Sequence, residues 1–263
     1  MPYAGVNGQR LYYEVGGEDE MCVLLHGTFA DADIMEAPAT GLATGLRALR
    51  IDRRSCGRSS PFDAPFSLAD EAADIAALLD WFSTEKTSFL THDDGAEVAI
   101  EFALQYPHRT RQLVFMAPTL EGYPWSAETV AQRADLVAGM RKDARNTVET
   151  KLLTQPIFEA LKEREGLHDR ITDIYRRCNG MAVKHERPAR TGPAHAQRLG
   201  EIQSKTHVFI GEQEQTERIL CARQIAMGIR GAEFVTFPGL GRFLQIEDSR
   251  QVMRKLTDIF MPE

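Results

Sequence analysis

Two adjacent carboxylates, Asp93 and Asp94, end a β-like run and open a helical one in Phe89-Leu90-Thr91-His92-Asp93-Asp94-Gly95-Ala96. A strand that turns tightly into a helix lifts the side chain at the turn above the sheet edge. The first N–H groups of the helix then point at the same spot. An aspartate displayed there can serve as nucleophile, general base or electrostatic anchor. A second turn, His26-Gly27-Thr28-Phe29, follows an earlier apolar run. Two later ones are Gly211-Glu212-Gln213-Glu214 and Pro238-Gly239-Leu240-Gly241-Arg242-Phe243.

These turns are separated by short apolar runs and helical stripes. Strands are expected at 10–14, 22–25, 48–51, 88–90 and 112–116, with a helix at 68–82 carrying Leu68, Ala72, Ile75, Leu78, Leu79 and Phe82 on one face. A helix at 96–105 closes at Tyr106-Pro107. After Pro118 the alternation stops. Charged helical sequence, cut by Pro124, Pro156, Pro188 and Pro193, runs to about residue 204. Strands at 207–210 and 233–237 then alternate with helices at 218–229 and 249–260. Such alternation predicts a mostly parallel, doubly wound α/β sheet: a core of 1–119 and 205–263, with a helical cap, or lid, of 120–204.

The chain has 263 residues, 31 Lys+Arg against 38 Asp+Glu, and a net charge of −7. That length can bury a sizeable core, and 43% hydrophobic with 26% charged residues is ordinary for a globule. Scattered basic residues argue against nucleic acid. No apolar run approaches the roughly 20 residues of a membrane span. With no basic, apolar leader at Met1-Pro2-Tyr3-Ala4, a cytoplasmic protein is expected. Cys22, Cys56, Cys178 and Cys221 are widely spaced without a CxxC, so no metal site is expected. Cys22 and Cys221 read as buried apolar residues, whereas Cys56, in a polar loop, could be reactive.

The order of these turns resembles the α/β-hydrolase fold over essentially the whole chain. The resemblance implies a lid-covered pocket at the carboxyl ends of the strands, with no cofactor and no metal. It places Asp93 at the nucleophile elbow, Glu214 at the acid position and Arg242 where the family has histidine. In its elbow aspartate the chain is similar to epoxide hydrolases and haloalkane dehalogenases, whose Asp forms an alkyl ester. Arginine stays protonated and cannot take a proton from water, so such an ester would have no route to hydrolysis here. Asp94 and Thr28 stand where dehalogenases have a Trp and an amide that hold halide, and a second carboxylate repels a leaving halide by about 1 kcal/mol or more.

The fold implied would bring Asp93, Glu214 and Arg242 together, either as a salt-bridge cluster replacing a dead triad or as a device in which Arg242 keeps Asp93 ionised and oriented. The amides around Thr28, Phe29 and Asp94 would form an oxyanion hole. His26 and His92 are expected to support these turns. His185 or His195 of the lid could replace the missing base, though as surface residues they need not. Asp94 also fits a plain helix N-terminal role, worth about 0.3–1 kcal/mol. The loop 52–59 reads as bracing. In the lid, Tyr123, Trp125 and Tyr175 are candidate pocket residues, beside Phe158, Leu161, Ile171 and Ile174, of which most are expected to pack between helices.

The expected function is an atypical, cofactor-independent enzyme acting on a small, largely apolar molecule of specialised-metabolite type. Its chemistry would be non-hydrolytic: proton transfer, cyclisation, C–C chemistry or cofactor-free oxygenation. The alternatives are an Asp-nucleophile hydrolase of the epoxide hydrolase kind and a non-catalytic ligand-binding protein with a degenerate triad. Substrate identity and oligomeric state stay open.

Overall fold

The structure, a computed structural model, describes residues 2–162, 164 and 166–261. Eight strands form one sheet: β1 Tyr3–Val6, β2 Gln9–Gly16, β3 Met21–Leu25, β4 Arg47–Ile51, β5 Thr87–His92, β6 Thr110–Met116, β7 Lys205–Gly211 and β8 Glu233–Phe237. Their order is β1-β2-β4-β3-β5-β6-β7-β8, antiparallel at β1–β2 and β2–β4 and parallel beyond. β3 and β5 are buried at every position, as parallel strands covered on both faces must be. The seven expected strands are present. β1 was not expected, although Asn7 and Gly8, both at positive φ, make the tight turn of a hairpin and are its sequence signal.

Helices cover both faces. On one lie α2 Leu68–Trp81, α3 Gly95–Gln105 and α8 Thr216–Gly228. On the other lie α1 Glu36–Leu42, α9 Leu244–Glu247 and α10 Ser249–Phe260. The Ser67 hydroxyl accepts from Asp70 N–H while the Asp70 carboxylate accepts from Ser67 N–H. This reciprocal cap fixes where α2 begins.

Between β6 and β7 runs the helical insert. It carries α4 Ala127–Thr147, a π-helical turn Val148–Leu152, α5 Pro156–Glu159, α6 Leu167–Arg176 and α7 His195–Arg198. Pro156 sits in the first turn of α5, where its missing N–H costs nothing. Leu136, Met140, Leu152, Phe158, Ile171 and Tyr175 pack in one cluster with Phe243 and Leu244 of the core. Among the described residues no helix is long and apolar enough to cross a membrane.

Candidate active site

Asp93 follows directly on β5 with φ 55°, a left-handed conformation that costs an L-residue about 1–2 kcal/mol. Close packing holds it there. A Cβ on Gly95 would lie 2.8 Å from Leu25 O, and one on Gly27 would lie 2.9 Å from the Asp93 Cβ. Asp93 N–H donates to Met116 O at 3.1 Å, and Ala96 N–H donates back to Asp93 O at 3.2 Å. The side chain stays about one-quarter exposed, at 24%.

Its direct partner is Arg218, at the start of α8. Arg218 Nη2 donates to Asp93 Oδ1 at 2.5 Å and to Ala117 O at 2.8 Å. Burial alone would raise the Asp93 carboxyl. Arg218, assisted by the more distant Arg242, outweighs that and holds it below the usual carboxylate range. The expectation that Arg242 itself would grip Asp93 is therefore corrected. Arg242 Nε and Nη2 donate to the two oxygens of Glu214 at 2.8 and 3.0 Å. Against the opposing cost of burial, that pairing brings Glu214 down to about 2. Arg218 is also 3.7 Å from Glu214, so the four charges alternate Asp93–Arg218–Glu214–Arg242. Glu214 and Arg218 are four residues apart at a helix start, the one sequence signal that could have found Arg218.

The oxyanion-hole expectation needs revising at Thr28. Thr28 N–H donates to Asp94 Oδ1 at 2.7 Å, and its hydroxyl bonds the other carboxylate oxygen. Arg53 Nη1 meets Asp94 Oδ1 at 2.8 Å. The Asp94 carboxylate thus fills the position an oxyanion would take from Thr28. Among the described residues no acceptor meets the backbone N–H groups of Phe29 and Asp94, which remain free to receive one.

The histidines divide clearly. His26 is fully buried and neutral, lowered first by burial and then by Arg53. Its Nδ1–H donates to Gly27 O and its Nε2 accepts from Arg53 N–H, which ties the Thr28 turn to the 52–59 loop. In that loop Asp52 accepts from Ala32 N–H and Arg58 N–H, both at 2.7 Å, as bracing requires. His92 is buried, lowered by that burial to about 4, and donates Nε2–H to Arg242 O at 3.1 Å. Among the described residues its Nδ1 has no partner. His185 pairs with Asp63. His195 is fully buried, not superficial, because Nε2 is 2.6 Å from Glu101. His185 and His195 are thus both committed to other carboxylates.

Of the three aromatic pocket candidates, Tyr175 stands near Asp93. Burial and then the Asp93 charge push its phenol above the usual range. It packs with Phe158 and Phe243 at 5.1 and 5.9 Å, and Phe243 is 5.9 Å from His92. Tyr123 and Trp125 instead meet edge to face, with ring centres 4.5 Å apart, against the α2–α3–α8 cluster. Cys56 is buried, which raises its thiol well above the ordinary value and removes the reactivity its loop suggested. No group of three or more His, Cys, Asp or Glu side chains among the described residues could hold a metal ion.

The model of the alpha/beta hydrolase family matches residues 22–255. The chain is 26% identical to a putative carbamate hydrolase RutD of Variovorax paradoxus (strain S110), over 94% of this chain and 95% of that protein. It is 24% identical to a 2-hydroxy-6-oxononadienedioate/2-hydroxy-6-oxononatrienedioate hydrolase of Paraburkholderia phymatum, over 94% and 89%. Among solved structures it is similar to the enol-lactonase from Burkholderia xenovorans LB400, with a TM-score of 0.82 at 18% identity and 98% of both chains covered. The esterase EaEST from Exiguobacterium antarcticum gives 0.83 at 17%, again covering 98% of both. With the sheet order and the strained elbow, the family match leads to one conclusion: this chain belongs to the alpha/beta hydrolase family, as an enzyme of that fold.

Proposed function

We propose that this enzyme works without a cofactor on a small, largely apolar carbonyl compound, with Asp93 as a fixed carboxylate base. Asp93 takes a proton from carbon beside the carbonyl, and the Phe29 and Asp94 amides receive the enolate oxygen that forms. The observation that carries this reading is the closed Arg242–Glu214 pair. It leaves the histidine position without a base and the acid position without a free carboxylate, so an ester on Asp93 would persist. The relatives named as hydrolases of carbamate and of oxo-dienedioates support a small carbonyl substrate.

A carboxylate held below its ordinary range is a weak base. The substrate must therefore bring an acidic C–H, as a 1,3-dicarbonyl or a phenol-like tautomer does. The protonated Asp93 carboxyl then returns the proton to the substrate, which restores the carboxylate for the next turnover.

The test is α-proton exchange of small 1,3-dicarbonyls in D2O, followed by proton NMR against buffer alone. Acceleration that disappears in Asp93→Asn supports the base. A second reading, an Asp-nucleophile hydrolase, draws on the unpartnered Nδ1 of His92 as its water-activating base. No acceleration, together with an Asp93-linked mass adduct from epoxides or activated esters, would replace the first reading with the second.

A further inference from the structure

Basic residues of the insert end on acidic residues of the core, and three of them reach buried carboxylates that hold the site: Arg133 approaches Asp94 itself at 3.8 Å, while Arg187 and Arg164 each act through a glutamate bonded to the site loops. Arg187 Nη2 donates to Glu71 Oε2 at 3.1 Å. The other oxygen of Glu71 accepts from Arg53 Nε at 2.9 Å, and Arg53 Nη1 meets Asp94, which in turn receives Thr28 N–H. Four groups thus run in series from the insert to the turn beside the elbow.

Arg164 makes a second such connection. Its Nη1 donates to Glu247 Oε2 at 2.8 Å and its Nη2 to Gly239 O at 3.0 Å. The same Glu247 carboxylate accepts from Gly241 N–H and Phe243 N–H, both at 2.9 Å. These are the amides on either side of Arg242. Glu71 and Glu247 are nearly inaccessible, with side chains 4% and 3% exposed, whereas Arg187 and Arg164 are 35% and 37% exposed. Each carboxylate therefore meets the insert through a cation that water also reaches. The pair Arg170–Glu36, at 3.4 Å and exposed on both sides, leads to no site residue.

We propose that Arg187 and Arg164 are positioning residues through which docking of the insert assembles the reacting centre. Arg187 sets the Thr28–Phe29 turn through Glu71, Arg53 and Asp94. Arg164 sets the loop of Arg242 through Glu247. Displacing the insert leaves both carboxylates short of one cation and frees two loops that must be held to within a fraction of an ångström. The activity arm of the test rests on Asp93 being the base; the structural arm does not.

The experiment is residue-resolved amide hydrogen exchange on the full-length chain, read at Thr28, Gly241 and Phe243. Arg187→Gln is expected to speed exchange at Thr28 at least tenfold and leave Gly241 and Phe243 unchanged. Arg164→Gln is expected to do the reverse, and Arg170→Gln to change none of the three. Arg187→Lys and Arg164→Lys, which keep the charge, should restore part of the protection and give a readout should a Gln variant fold poorly. Unchanged exchange at all three amides in both Gln variants overturns the proposal, as does a uniform rise across β3 to β6. In D2O the Gln variants should lower the α-proton exchange rate at saturating substrate more than they raise KM. A wild-type protein with no such activity but the expected exchange pattern would refute the base and leave the positioning roles standing.

Discussion

Arg242 lies across Glu214 rather than over Asp93, with two parallel N–H···O bonds at 2.8 and 3.0 Å. Two positions that would carry acid and base in a hydrolytic triad are thereby spent on each other. Asp93 is left to Arg218, and the chemistry open to it is that of a single carboxylate held ionised by that guanidinium until it accepts a proton.

Replacing Asp93 with Asn should abolish turnover, by the 10²–10⁴-fold that a general base typically contributes. The substitution also takes one carboxylate from Arg218, which keeps Ala117 O and Glu214 as partners, so the loss is that of one charge-assisted hydrogen bond, about 1.5–3 kcal/mol. Denaturant titration should show that loss while substrate binding persists.

Arg218→Gln should move the acid limb of the pH–rate profile upward. Without the guanidinium, burial and Asp94 are left to raise the Asp93 carboxyl, so protonation sets in at higher pH. A shift of at least one pH unit is expected. An unmoved limb would mean that Asp93 does not control the rate.

Acid should destabilise the protein in two stages. His92 takes up a proton at its ordinary 6.5 in the unfolded chain but only near 4 when folded. The stability it contributes is complete above 6.5 and disappears as pH falls to 4, by about 3 kcal/mol. Glu214 and Glu101, each lowered to about 2, contribute above their ordinary 4.5 and are lost between there and 2. Unfolding free energies at pH 7.5, 5.5 and 4 should show the first stage in the wild type and a flatter one in His92→Phe.

The double change Asp93→Ser with Arg242→His should yield measurable esterase activity on nitrophenyl esters. It places a hydroxyl at the elbow and an imidazole base beside a freed Glu214. Adding Asp94→Gly should raise the rate further, because the Thr28 amide is released from the carboxylate that occupies it. A rate no higher than the wild type in both variants would show that the loops no longer align.

Most of the sheet was legible because the buried parts of parallel strands are apolar: the runs at 22–25 and 113–116 declare themselves by composition, and the strands extend beyond them to Met21 and Thr110. The elbow was legible because few sequences place a strand, a tight turn and a small residue so close together. Pairing was not. Whether Arg218 or Arg242 reaches Asp93 depends on how α8 leaves the sheet, and no spacing along the chain reports that. His195 looked superficial for the same reason, since the buried carboxylate it seeks, Glu101, is 94 residues away. The roles of Arg164 and Arg187 were invisible, as each acts through a carboxylate on another element.

The backbone at residue 93 is fixed from outside. Gly27 leaves room for the Cβ of residue 93 and Gly95 lets the following turn close on Leu25 O, while the backbone bonds from Asp93 N–H to Met116 O and from Ala96 N–H to Asp93 O hold φ at 55° without calling on the rest of the side chain. Substitution there changes what is displayed and leaves the mount intact. A lineage can therefore trade one reactive group for another in a single step, keeping a folded ancestor and a folded descendant on either side of a change in reaction type.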